Sequence, residues 1–596
     1  MCGIVGYAGQ RRAQPILIDC LKRLEYRGYD SAGIAVVGKD LQLFKSEGEI
    51  AVLEGKMPEM DGGLGIAHTR WATQGKPTTE NAHPFADCSN RFAIVHNGII
   101  SNFMDLKDKL LADGHVFSSE TDTEVFAHLV ESEFEGDLLE AVRSAVARVE
   151  GTYAFAVVAK DGDGIVATRR ESPLVVGLGN GENFIASDVT ALLKHTNKML
   201  FIEDGEVVRV TKDSVTVVDA AGNEVRREPH KVAWTLEDAE KGGYPHFMLK
   251  EIYEQPSAIH DSLLGRVESL DAEPFFSSGA FSSVKIVACG TSYHAGLVGK
   301  YIIEELAKIP TTVQISSEYR YSSAPRENPL IVLVTQSGET LDTMAAAREA
   351  RRRGNRTVAI ANVMGSAITR EVDHVIYTRA GPEIGVAATK TFVTQLVALY
   401  ILAMDLGTQS RTLSALAKRA VIGQLRSLPR AVQDVLNKAP EIEALAKKYH
   451  ASRDMFFIGR NINYPVALEG ALKTKEISYI HGEGYPAGEL KHGPLALISK
   501  DSPVVAIAVK DHTYGKMLGN ISEVSARGSP VIAIGFEGDT ELEKYADDVL
   551  YIREIPPLFS PVPVVVALQL FSYYLARERG CPIDKPRNIA KTVTVD

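Results

Sequence analysis

Cysteine is scarce in this chain, and what there is lies far apart. Five cysteines occur in 596 residues: Cys2, Cys20, Cys88, Cys289 and Cys581. The number is odd and no two form a CxxC pair, which argues against a disulfide scaffold or a zinc cluster and fits a reducing cytoplasm. The histidines are scattered without ligand spacing, so neither a metal nor a cofactor is expected. Long apolar runs are also lacking. None reaches the roughly 18–20 residues that span a bilayer, and Ile331 to Val334 and Val562 to Leu570 read as buried strand and helix. The N-terminus shows neither the basic region nor the apolar core of a signal peptide. A basic excess is missing too: the net charge of −11 argues against a general binder of nucleic acid or anionic membranes. No Walker A loop is present and no Gly-x-Gly-x-x-Gly follows a strand, which argues against a nucleotide. A phosphorylated substrate stays open, because backbone amides and a few local cations can hold one.

What is present is ordinary for a globular protein, with 45% hydrophobic and 24% charged residues, and the length implies about three or four domains. Residues 1–230 read mostly as strand, for example Gly33 to Val37, Phe92 to Val95 and Tyr153 to Val158. Helical patterns intervene at Pro15 to Tyr26 and Asp122 to Val149. That mixture predicts an α+β sandwich. A polar stretch from Glu237 to Gly243 marks a boundary, within a linker and leading helix over 231–279. From about residue 280 the order becomes strand, turn, helix, which implies a parallel, doubly wound sheet. The order then repeats. Val287 to Gly290 matches Phe456 to Gly459, Ile331 to Val334 matches Val504 to Ile507, Val358 to Ile360 matches Ile532 to Ile534, and Val375 to Tyr377 matches Val549 to Tyr551. The near-constant offset predicts two tandem α/β domains, over 280–430 and 445–580, followed by an irregular tail over 581–596.

Cys2 follows Met1 and precedes Gly3-Ile4-Val5-Gly6. With Met1 removed it would carry a thiol and an α-amine, and an amine titrating near pH 8 can take the thiol proton. A buried small residue at the start of a strand is the alternative. His96-Asn97-Gly98 offers a side-chain amide beside a backbone N–H, as an oxyanion hole requires, or else a hairpin turn. Arg70, in His68-Thr69-Arg70-Trp71-Ala72-Thr73, could grip a carboxylate, and Asp122 could bind an α-ammonium or serve only as a helix cap.

These segments, with Leu24-Glu25-Tyr26-Arg27-Gly28-Tyr29-Asp30-Ser31 and Asn81-Ala82-His83-Pro84, resemble the class II glutamine amidotransferases. The resemblance implies an N-terminal-nucleophile hydrolase fold in which Cys2 attacks the glutamine carboxamide and Asn97 and Gly98 form the oxyanion hole. It implies that Arg70, Trp71, Thr73, His83, Gly98 and Asp122 bind glutamine, with Arg27 near the nucleophile. Gln74 stands where relatives often have His.

In the tandem domains, Cys289-Gly290-Thr291-Ser292 and Thr335-Gln336-Ser337-Gly338-Glu339-Thr340 each sit between a strand and a helix, as capped helix starts or as anion sites facing one crevice. Glu469 to Ser478 reads as a helix, with Lys473 and Glu476 on one face, and His492 lies in a following loop. These motifs resemble the sugar isomerase (SIS) domains of enzymes that make glucosamine 6-phosphate from D-fructose 6-phosphate and L-glutamine. By that resemblance Thr291, Ser292, Thr335, Gln336, Ser337, Thr340, Val386, Ala387 and Ala590 surround the sugar phosphate. Lys591 forms a Schiff base, Glu476 moves a proton between C1 and C2 with help from Lys473, and His492 opens the ring from the neighbouring subunit of a homodimer. Trp71 gates an internal ammonia channel. A transferase for another sugar phosphate and a phosphosugar-sensing protein are the alternatives.

Overall fold

The structure is a computed structural model that describes residues 2–71, 76, 78–232, 234, 240–266, 281–322 and 328–592. It comprises two compact units, residues 1–240 with 590–596, and residues 241–589.

In the first unit the described strands form an eight-stranded and a six-stranded antiparallel sheet. Strand Gly3–Gly9, with Cys2 at its head, lies inside the larger sheet between Leu64–Arg70 and Glu182–Ala186. Strand Phe92–Ile100 lies in the smaller sheet beside Gly151–Ala159. Its side chains divide by parity, as a pleated strand demands. Ala93 and Val95 face a core shared with Ile4, Ile66 and Ile185, whereas Phe92 and Ile94 face helices through Phe126, Leu129 and Val142. Helix Ala13–Lys22 covers the larger sheet. The result is a layered α+β sandwich in which Cys2 heads a strand of one sheet and Asn97 lies within a strand of the other.

The helical pattern from Asp122 to Val149 is two helices, Thr123–Glu133 and Leu138–Val146. The break has a local cause. Gly136 adopts φ +114°, and the Asp137 carboxylate accepts the Leu139 and Glu140 N–H groups at 2.7 and 3.2 Å, which starts a new helix.

In the second unit the described strands form two five-stranded parallel sheets. The first runs Thr311–Ile315, Val284–Ala288, Leu330–Val334, Thr357–Ala361, His374–Tyr377. The second runs His481–Pro486, Asp454–Gly459, Val504–Ile507, Val531–Phe536, Asp548–Ile552. In both, the second strand in the chain lies at the edge and the first beside the third, so the winding reverses at the ends of strands one and three. The four segments that the repeat aligned occupy equal places in the two sheets. Helix Lys390–Gln409 corrects one expectation: it is long and apolar enough to cross a membrane, but 94% of its apolar window is buried inside the unit. It packs against helix Gly290–Leu306 as a core element. Residues 581–592 form neither helix nor strand.

Asp137→Ala should cost about 0.5–2 kcal/mol of local helix stability. Amide hydrogen exchange should quicken across Leu138–Val146 and stay unchanged in helix Ala13–Lys22; uniform exchange would show that the cap does not set this break.

Candidate active sites

The first site grows from the end of strand Leu64–Arg70. The Trp71 N–H donates to Cys2 Sγ at 3.2 Å, and the thiol lies 3.5 Å from the Trp71 carbonyl oxygen. Burial pushes the thiol up from its ordinary value, opposed by nearby positive charge, Arg70 included, and by the Trp71 N–H. The Asn97 amide donates to the Cys2 carbonyl at 3.0 Å. Asn97-Gly98 is therefore no hairpin turn: both residues lie within the nine-residue strand Phe92–Ile100. Gly98 adopts φ +132°, and a Cβ there would sit 2.1 Å from the Thr152 carbonyl oxygen. Only glycine permits this twist against the neighbouring strand.

Asn97 is held from behind. His68 Nε2 lies 3.1 Å from Asn97 Oδ1 and 3.0 Å from the His96 carbonyl oxygen. Both are acceptors, so His68 carries its proton on Nε2. The His83 ring lies 4.0 Å from that of His68, and His83 Nε2 and His96 Nδ1 each lie 2.9 Å from the Thr123 hydroxyl. Burial pushes His68 down to about 3, and also lowers His83 and His96. The three rings form a buried, uncharged layer under Asn97.

Asp122 does not cap its helix; its carboxylate accepts the Ile100 N–H at 2.8 Å. Arg70 is buried and donates to the Lys76 carbonyl at 3.2 Å; burial lowers its pKa while Cys2 and Asp122 pull it back. Arg27 is ion-paired with Asp188 at 2.5 Å. Thr73 and Gln74 lie outside the described residues.

The second site lies at the strand ends of the second unit's first sheet. Ala288 and Val334 are register partners, so the segments that follow them emerge side by side. Helices Gly290–Leu306 and Leu341–Arg352 begin there without side-chain caps, which leaves their first N–H groups open to a ligand. The Thr335 hydroxyl accepts the Gly338 N–H at 3.2 Å and lies 3.5 Å from the Thr340 hydroxyl. The Ser337 hydroxyl accepts the Glu339 N–H at 3.1 Å, and Gln395 donates to Ser292 at 2.9 Å. Gln336 is partly exposed.

Helix Tyr464–Ser478 supplies the charged groups. Lys473 Nζ lies 2.6 Å from Glu476 and 3.4 Å from Glu469, and donates to the Thr291 hydroxyl at 3.0 Å. Burial alone would lower this lysine, but the charges of Glu476 and Glu469 outweigh it and hold the ammonium above its ordinary value. Lys473 is thus a fixed cation. The loop with Val386 and Ala387 is pinned by the Glu251 carboxylate, which accepts the Ile384 and Gly385 N–H groups at 2.5 and 3.1 Å, and by a Val386 N–H bond to the Asp584 carbonyl oxygen at 3.2 Å. His492 is exposed at the end of a 3-10 turn, Ala487–His492, and Ala590 and Lys591 group with the first unit.

Comparison with known proteins matches this layout. Residues 68–194 match the glutamine amidotransferase domain family, and residues 282–405 and 448–579 each match the SIS domain family. The glutamine–fructose-6-phosphate aminotransferase (isomerizing) of Methanosarcina mazei is 50% identical over 618 residues, covering 100% of both chains. That of Thermus thermophilus is 50% identical over 605 residues, again covering 100% of both. The chain belongs to the glutamine–fructose-6-phosphate aminotransferase family. It is an enzyme of the aminotransferase class. The solved C-terminal domain of the glucosamine-fructose-6-phosphate aminotransferase from Francisella tularensis is 39% identical, with a TM-score of 0.54, and covers 58% of this chain and 100% of that one.

Family resemblance left three members of the second site unnamed: Glu469, His294 and Gln395. Glu469 is fully buried and bonds Thr291 at 3.1 Å and His294 at 2.7 Å. Its i,i+4 spacing to Lys473 was the available signal; His294 and Gln395 carry none.

Because His68, His83 and His96 bind fewer protons folded than unfolded, stability must fall as pH drops below the ordinary imidazole value of about 6.5. Both tryptophans, Trp71 and Trp234, belong to the first unit, so their fluorescence reports it. The urea midpoint should fall from about pH 7 to about pH 5. His68→Gln should make that slope shallower by up to one proton; an unchanged slope would contradict a neutral His68.

Proposed function

We propose that this chain converts D-fructose 6-phosphate and L-glutamine to D-glucosamine 6-phosphate and L-glutamate. One observation carries the reading: the Cys2 thiol lies under the Trp71 N–H and the Asn97 amide lies 3.0 Å from the Cys2 carbonyl, which supports Asn97, with Gly98, as the oxyanion donors. Once Met1 is removed, the α-amine of Cys2 takes the thiol proton, and the thiolate adds to the glutamine carboxamide carbon. Negative charge gathers on the amide oxygen, where Asn97 and the Gly98 N–H stabilise it. Collapse expels ammonia and leaves a thioester, which water hydrolyses to glutamate. Arg70 pairs with the substrate carboxylate and Asp122 with its ammonium, with Trp71, Thr73, His83 and Arg27 completing the pocket.

Ammonia then passes by an internal channel gated by Trp71, since in bulk water it would be protonated and non-nucleophilic. In the second unit the two uncapped helix starts and the hydroxyls of Thr291, Ser292, Thr335, Ser337 and Thr340, with Gln336, hold the phosphate, beside Val386 and Ala387. Lys591 forms a Schiff base with the C2 carbonyl, which ammonia displaces as an imine with loss of water overall. Glu476 removes a proton from C1 and delivers it to C2, and Lys473 steadies its charge. His492 opens the sugar ring from the partner subunit of a homodimer. Five free cysteines favour a reducing cytoplasm as its setting.

Glutamate and glucosamine 6-phosphate should form one to one when both substrates are supplied. Cys2→Ala should abolish glutamine-dependent synthesis; full retention would refute the nucleophile, and glutamate without amino sugar would mean a different acceptor. Glu476→Gln leaves Lys473 paired with Glu469. It should slow amino-sugar formation by about 10²–10⁴-fold while glutamine hydrolysis persists; equal loss of both would show a folding defect instead of a lost proton carrier.

A further inference from the structure

The first unit contains a cluster of metal-ligating groups that the reaction does not use. Cys88 follows the short strand Phe85–Ala86, His115 lies between helices Phe103–Ala112 and Thr123–Glu133, and His128 and Glu131 stand one turn apart on the latter. Their four donor atoms all lie within 4.8 Å of one another. Cys88 Sγ is 3.7 Å from His115 Nδ1 and 3.4 Å from His128 Nδ1, and Glu131 Oε2 is 3.0 and 3.4 Å from the same two nitrogens. Zinc bonds of about 2.3 Å to sulfur and about 2.0–2.1 Å to nitrogen and oxygen give tetrahedral edges of about 3.3–3.6 Å. The observed spacings bracket those edges.

The surroundings fit a metal better than a hydrogen-bonded quartet. His128 is 1% exposed, and its Nε2 has no hydrogen-bond partner; it faces the Glu124 carboxylate at 3.9 Å. That carboxylate accepts the Ser118 and Ser119 N–H groups at 2.7 Å each, which fixes it as an acceptor. With its proton on Nε2, His128 would face the Glu124 carboxylate, 3.9 Å away, and turn its Nδ1 lone pair into the cluster, the orientation of carboxylate–histidine–zinc arrangements. The Val116 N–H aims at Cys88 Sγ from 3.4 Å, a contact suited to a thiolate. Cys88 is exposed, which gives an ion a path from solvent.

We propose that Cys88, His115, His128 and Glu131 bind one zinc ion as a closed, structural site. One sulfur, two imidazoles and one carboxylate are a zinc donor set, and with four protein ligands no position is left for chemistry. The ion would tie two connectors to the helix that Asp122 precedes. Sequence spacing hides the set, because His115 lies 27 positions after Cys88, His128 13 after His115, and Glu131 3 after His128.

The test uses the full chain, purified without chelator and without a metal-affinity tag. Elemental analysis should find about one zinc per chain. After chelation, added zinc should raise the unfolding temperature, and cobalt(II) should give the ligand-field bands of a tetrahedral site with a thiolate charge-transfer band. Cys88→Ser, at an exposed loop position, should fold, lose the charge-transfer band and bind zinc about 100-fold or more weaker. Glu124→Gln should weaken zinc about 10–100-fold while keeping the band. Absence of zinc uptake and of the cobalt band in the parent protein would overturn the proposal, as would a Cys88→Ser protein that binds zinc as tightly as the parent.

Discussion

An ammonium buried between two carboxylates holds the second unit's site together. Lys473 is 1% exposed, with Glu469 and Glu476 on successive turns of its own helix. Removing such a cation from water costs several kcal/mol, which nearby opposite charge and further hydrogen bonds must offset. Thr291 supplies one of those bonds, and it stands in the first turn of the helix that opens the strand-end crevice. His294, from the same helix, binds the far side of Glu469. The requirement to satisfy one buried charge thus fixes the distance between the helix bearing Glu476 and the helix start suited to a phosphate. Glu476 gains a rigid, positively charged neighbour at 2.6 Å.

The first unit meets the same cost by removing the charge. Three imidazoles lie layered beneath Asn97, and burial lowers each of them, His68 to about 3. A neutral imidazole has one donor and one acceptor, so each ring can be oriented by a single strong contact. For His68 that contact turns the Asn97 amide so that its N–H₂ faces Cys2 and its oxygen faces back. The amide orientation follows from the tautomer, and the tautomer follows from two fixed acceptors. A charged His68 would have no advantage here and would add a buried cation beside Arg70.

Much of this was legible in sequence because its causes are local. Period-two alternation and the apolar runs before Gly290 and Gln336 marked strands and strand ends, and the repeat offset marked two sheets of one topology. Asn97-Gly98 was ambiguous for a physical reason. Asn-Gly satisfies the positive φ of a tight turn, yet the same tolerance lets Gly98 twist within a strand against Thr152. The helix from Asp122 to Val149 looked continuous because apolar spacing carries across Gly136, and only the Asp137 cap reveals the break. Asp122 itself looked like a cap, but the Ile100 N–H takes its carboxylate.

Groups assembled from distant segments left no such trace. Gln395 reaches Ser292 from a helix about a hundred positions on, and its sequence context is that of a core helix. Thr335 makes the complementary point. Its hydroxyl accepts the Gly338 N–H at 3.2 Å and its methyl is buried, so one side chain supplies both the loop's hydrogen bond and an apolar contact. Gly338 permits this: its φ of +68° turns the N–H back toward Thr335, and a Cβ there would lie 2.0 Å from the Ser366 hydroxyl. The loop is therefore closed on itself by the Thr335 hydroxyl, which accepts the Gly338 N–H.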